Sequence, residues 1–237
     1  MKTKGIDYEQ ERKLVCEQLL KSTRISFEHE LASILEQLTD KRSNRIQPDY
    51  GFVPPFMGGN DIKLIVIGQD PTIRNEERRK NIICTLNLDK QGALRKYVKQ
   101  ICDNMEITIE NVYATNVFKY FYGRPPADTL DVLKEHLQSN LELLKKELSC
   151  FPNVPIITLG EPVLKLLTGN EQAKVRYYWR YDSKKGTRNG EFLRVEAKES
   201  KFRRPFYPFC HQPSIRKQFY SNNLEDYCHF VIGKPRN

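Results

Sequence analysis

The sequence predicts an α/β fold: three αβα layers around a mainly parallel central sheet. Three observations predict it. Continuous apolar runs at 63–68 (KLIVIG) and 154–159 each end at a glycine, Gly68 and Gly160, as strands buried on both faces of a parallel sheet do. Between them lies a stretch with Leu130, Leu133, Leu137, Leu141, Leu144 and Leu148 at helical spacing, and strands alternating with helices imply a doubly wound sheet. Polar clusters follow the strand ends, where such sheets bind their ligands.

Taken in order, residues 1–42 read as an N-terminal helical segment packed on the core. Leu14, Val15, Leu19 and Leu20 make one apolar stripe, and Ile25, Leu31, Ile34, Leu35 and Leu38 a second. A single α/β domain is expected over 43–237. It opens with a loop at 43–60 rich in Pro and Gly (Pro48, Pro54, Pro55, Gly58, Gly59), as turn chemistry requires. The first strand is 63–68, a helix follows at 92–104, and 111–118 (NVYATNVF) reads as the second strand. Asp128-Thr129 caps a long helix to Leu148. The third strand, 154–159, stops at Gly160 and leads into a helix over 162–167. Residues 175–195 are expected to form a basic hairpin around the turn 184–190. A last strand at 206–210 runs into His211-Gln212-Pro213-Ser214 and a closing helix over 215–231.

Composition limits the function. The 237 residues suit one sizeable α/β domain, and twelve Tyr with twelve Phe argue against disorder. The longest apolar run, Leu64-Ile65-Val66-Ile67, is far short of the ~18 residues of a membrane span. The charged start, MKTKGIDYEQERK, is unlike a secretory signal, so a cytoplasmic location is expected. Six cysteines without any C-x-x-C read as free thiols. The net charge of +9 is concentrated: residues 174–204 hold eleven Lys/Arg against four acids, a net of +7. A focused basic field suits a polyanionic partner, and it equally suits a solvated hairpin.

Three strand ends carry chemistry: Gly68-Gln69-Asp70-Pro71, Thr115-Asn116 and His211-Gln212-Pro213-Ser214. The topology puts them on one edge of the sheet, with a carboxylate, an amide and an imidazole. There is no G-x-S-x-G elbow, no P-loop, no G-x-G-x-x-G and no dense metal-ligand cluster. Charge stabilisation by fixed groups remains, and cleavage of an N-glycosidic bond fits it. A carboxylate would stabilise the cationic sugar and orient water, an imidazole would hold the departing base, and an Asn amide can pair with both N3–H and O4 of a pyrimidine.

These residues resemble the uracil-DNA glycosylase superfamily. Leu64–Pro71 (LIVIGQDP) is similar to the family's strand-GQDP motif. Val112-Tyr113-Ala114-Thr115-Asn116-Val117-Phe118-Lys119 with Arg124-Pro125-Pro126 resembles the uracil-reading strand of its iron–sulfur branch, 154–167 that branch's third strand and helix, and His211–Ser214 its H-P-S motif. The resemblance spans about residues 60–230. It implies that Asp70 positions water and stabilises the sugar cation, that Gln69 lends its backbone to the base pocket, that Asn116 reads a flipped base, and that His211 hydrogen-bonds the base's O2. Ile215 or Arg216 would enter the duplex beside Ser214, and Lys184, Lys185 and Arg188 would contact phosphates. The implied partner is DNA carrying uracil or another damaged base, handled by a monomer with no cofactor and no metal.

The chain departs from the family pattern at four places. Thr72-Ile73 stand where the family has Tyr-His after GQDP, the Tyr being its barrier to thymine. Cys84-Thr85-Leu86-Asn87-Leu88 offer Leu86 where the family stacks a Phe on the base. Tyr120 replaces the branch's Cys, so no iron–sulfur cluster is expected, and Gln212 separates His211 from Pro213. Two other readings stay open: a nucleic-acid-binding protein of the same fold that has lost catalysis, and an unrelated α/β hydrolase of small nucleosides.

Overall fold

The computed structural model describes residues 53–123 and 130–234. The two expected N-terminal helices, the loop up to residue 52, Arg124-Pro125-Pro126 and the expected Asp128-Thr129 cap lie outside the described residues. Among the described residues, the central sheet has five strands: β1 (Phe56–Met57), β2 (Leu64–Gly68), β3 (Val112–Asn116), β4 (Ile156–Leu159) and the strand Tyr207–Phe209. Their spatial order is β1, β3, β2, β4, Tyr207–Phe209, and only β1 runs antiparallel to its neighbour. The chain is therefore α/β with a mainly parallel sheet. β2, the sheet's middle strand, is buried along its whole length, which is why its sequence shows no alternation.

Helices flank the sheet: α1 (Glu76–Arg79), α2 (Ala93–Asn104), α3 (Leu130–Ser149), α4 (Glu161–Thr168), α5 (Val175–Tyr178), α6 (Gln218–Asn222) and α7 (Leu224–Val231). Two adjacent β3 residues define the sheet's faces, because successive strand side chains point opposite ways. The Thr115 hydroxyl reaches Glu147 on α3, whereas Asn116 turns to the other face, against Gly68 and Leu86. Leu137, Leu141, Leu144 and Leu148 bury the inner stripe of α3, as their spacing requires.

The region 175–195 differs from its expected hairpin. Residues 175–178 form α5, and the two-stranded ribbon is confined to β5 (Tyr181–Asp182) and β6 (Thr187–Arg188). The cause is Trp179, which is fully buried, donates Nε1–H to the Pro208 carbonyl at 2.8 Å and stacks on Tyr227 at 4.2 Å. Arg180 then takes a left-handed backbone, φ 56°, so the strand cannot begin before Tyr181. With these two strands placed, Tyr207–Phe209 is β7. The closing helix is likewise divided, into a 3-10 turn at Gln212–Arg216, α6 and α7, with extended backbone at Lys217 (φ −66°, ψ 128°) between the first two.

Candidate active site

The parallel register lines up the carboxyl ends of four strands. Gly68 is level with Asn116, and Leu159 with Phe209, so the residues that follow β2, β4 and β7 share one edge. A cleft of about 1050 Å³ opens there, and its wall includes Gln69, Asp70, Leu86, His211 and Ser214. Of the residues singled out in the sequence, these five come together.

Asp70 sits in a turn closed by its own side chain: the Thr72 N–H donates to Asp70 Oδ1 at 2.7 Å. Thr72 in turn accepts the Tyr122 N–H at 2.7 Å, tying the turn to the chain beyond β3. Burial pushes the Asp70 carboxyl up to about 7, against the opposing pull of the Thr72 hydrogen bonds and the Arg79 cation. Desolvation dominates because taking a carboxylate out of water is costlier than two hydrogen bonds restore. Arg79, fully buried, holds this segment together: Nε donates to the Ile73 carbonyl at 2.8 Å, and its two terminal nitrogens to Tyr122 at 2.9 Å and Gly123 at 3.0 Å.

Asn116 is only 1% exposed, and both Oδ1 and Nδ2 lack a hydrogen-bond partner. Gly68 makes room for it. A Cβ there would lie 2.3 Å from Asn116 Oδ1 and 2.7 Å from Leu86 Cδ2, so amide, glycine and leucine meet at one point. Gly68 and Leu86 form the cleft wall at this point; Asn116 lies behind them. Leu86 and Asn87 both have left-handed backbones, φ 58° and 52°, which non-glycine residues adopt at a cost. The turn is held there by Thr85, whose N–H and hydroxyl both donate to the Pro54 carbonyl. Gln69 adds a second orphaned amide nitrogen, Nε2, while its carbonyl accepts the Phe118 N–H at 2.9 Å.

His211 leaves β7 beside Gly160: a Cβ at that glycine, whose φ is +93°, would come 3.5 Å from the His211 Cβ. Its carbonyl accepts the Ser214 N–H at 2.8 Å, and Tyr97 on α2 donates its hydroxyl to the preceding Cys210 carbonyl at 3.2 Å. Partial burial against the cleft wall lowers the imidazole's pKa, which favours its neutral form.

The remaining expected contacts fall elsewhere. Ile215 packs half-buried against the core and, with Arg216, lines a neighbouring groove of about 480 Å³. Lys184 and Lys185 are exposed at the ribbon tip, where their N–H groups donate to Asp182 Oδ1. Arg188 is engaged within the fold. It pairs with Asp226 at 3.4 Å and lies over the Phe192 ring at 4.5 Å.

Sequence reasoning missed three features. The cleft wall carries Arg78, Lys90, Arg95 and Lys217 against Asp70 and Glu161, and charge counting along the chain had no means of gathering residues so far apart. Arg79 gave no signal among its charged neighbours. Lys119 and Glu147, 28 residues apart, form a fully buried ion pair at 2.8 Å; the one signal was a Lys following an apolar strand. Among the described residues, no three His, Cys, Asp or Glu side chains gather as a metal site, and no helix is long and apolar enough to cross a membrane. Neither a protein-family model nor a curated protein matches the chain.

Proposed function

We propose that the protein is a uracil-DNA glycosylase-like hydrolase that cleaves the N-glycosidic bond of a damaged base, uracil foremost, flipped out of DNA. One observation carries this reading. Asn116 presents a buried amide with donor and acceptor both unspent, on the sheet edge that also bears Asp70 and His211. A buried polar pair without partners is costly, and the N3–H and O4 of a pyrimidine would complete it. The C1′–N1 bond breaks with its electron pair going to the base. The ionised Asp70 stabilises the resulting sugar cation and takes a proton from the water that adds to C1′. The neutral His211 donates a hydrogen bond to the base's O2 as negative charge collects there, and the base anion is finally protonated from solvent. Leu86 moves aside to admit the base and then covers it, in place of an aromatic stack.

Release of base from uracil-containing single- and double-stranded oligonucleotides, read as alkali-labile sites, tests the proposal. Wild-type protein is expected to cleave and Asp70→Asn to lose activity by about 10²-fold or more. No release from uracil, hypoxanthine or mismatched thymine by folded protein would refute it. A second reading, a binding protein of this fold without catalysis, is favoured by the position of Asn116 behind Leu86. Salt-sensitive DNA binding without any base release would select it.

A further inference from the structure

We propose that the buried Lys119–Glu147 pair positions Asn116, clamping the end of β3 from the α3 side so that the amide stays unspent on the other side. This rests on the reading of Asn116 as the base-reading residue. Both side chains are wholly buried. The Lys119 ammonium donates to the Asn116 carbonyl at 2.6 Å, to the Thr115 hydroxyl, and to Glu147 Oε2 at 3.0 Å. Thr115 donates its own hydroxyl to the same Glu147 oxygen at 2.6 Å. All three ammonium hydrogens are thus directed, two of them at the last two residues of β3.

Stability alone does not account for the pair. Well-packed apolar side chains commonly replace a buried ion pair at no loss, and Leu141, Leu144 and Leu148 already dock α3 by that means. The ammonium supplies what leucine cannot: donors that close the 116–119 turn on itself. On the β2 side the same segment is fixed by Val117 N–H to the Gly68 carbonyl and Phe118 N–H to the Gln69 carbonyl, both 2.9 Å. Held from both sides, the main chain at Asn116 keeps its side chain on the face where its donor and acceptor have no internal partner, so both remain for a ligand. A substrate misplaced by about 1 Å can lose about 10²-fold in rate, which makes the clamp a positioning device.

The double variant Lys119→Met/Glu147→Leu removes the pair without leaving either charge alone; Thr115→Val is the milder variant should the double one fail to fold. With asparagine selectively ¹⁵N-labelled, the Asn116 side-chain NH₂ signals, assigned with Asn116→Asp, are expected to be sharp in the wild type and broadened or shifted in the variant. In base release, kcat is expected to fall about 10- to 100-fold with KM for DNA little changed. Combined with Asn116→Ala, the losses should be well short of additive, as for two residues serving one contact. Unchanged NH₂ signals, or fully additive losses, would overturn the proposal. If the wild type releases no base, the glycosidase reading fails while the NMR comparison still decides the clamp.

Discussion

Asp70 links the chemistry of the cleft to its stability. Its carboxyl is raised from 3.8 to about 7, so the ionised form that the proposed reaction needs is the form the fold disfavours. Two consequences have opposite signs. In activity, kcat/KM should climb as pH rises through about 7 and level off above it, measurable as initial rates on single-stranded substrate from pH 5.5 to 8.5. In stability, the native state pays nothing well below pH 3.8, where Asp70 is protonated folded or unfolded. The penalty grows between 4 and 7 and is constant above, roughly 4 kcal/mol as an upper bound at about 1.4 kcal/mol per unit. Asp70→Asn keeps an oxygen for the Thr72 N–H and removes the charge. It should therefore melt higher than wild type at pH 8 and level with it at about pH 3. A group that destabilises the fold it sits in is common at catalytic positions. Gly68→Ala probes the neighbouring contact: its Cβ would press on Asn116 and Leu86 at under 3 Å. Calorimetry should register a loss of about 1–3 kcal/mol, accompanied by loss of base release.

At the scale of the elements, legibility followed burial. β2 and β4 were plain in the sequence because a strand covered on both faces has no polar residues to interrupt it, and α2 and α3 because their apolar stripes repeat. β1 was hidden, since two residues make no pattern. Alternating aromatics at 177–181 imitated a strand, yet Trp179 is drawn under β7 and the segment begins as a helix. That Gln69, Asp70, Asn116 and His211 lie at one edge of the sheet was legible, because the ends of parallel strands share an edge. Arg79 was not, for nothing along the chain announces which arginine turns inward. Its role is testable. Arg79→Met deprives three carbonyls of their donor, which should cost about 2 kcal/mol or more. It also withdraws a cation that favours ionised Asp70, so the activity midpoint should move above 7. An unmoved midpoint in a folded variant would confine Arg79 to holding the loop.

The whole molecule distributes its positive charge differently from the chain. Along the sequence the excess lies in 174–204, but several of those cations are engaged: Lys174 with Glu161, Arg188 with Asp226, Arg194 with Glu196, and Arg204 with the carbonyls of Leu148 and Val154. Around the cleft, Arg78 and Lys217 stand on the wall with no internal partner among the described residues, beside Lys90 and Arg95, whose side chains are tied to backbone carbonyls. A strand whose nucleotide enters the cleft has to pass these groups, whereas Lys184 and Lys185, at the ribbon tip, are not among the residues that line it. Reversal of Arg78 and Lys217 to Glu should therefore weaken DNA binding more than reversal of Lys184 and Lys185, although each pair changes the net charge equally. Fluorescence anisotropy with a single-stranded oligonucleotide at 50–200 mM salt separates the two. Each lost phosphate contact lowers the slope of log K against log salt by about 0.7, so the cleft pair should reduce it by about 1.4 and the tip pair by much less. Equal effects would mean that binding follows overall charge, and a larger effect at the tip would return the DNA path to the ribbon.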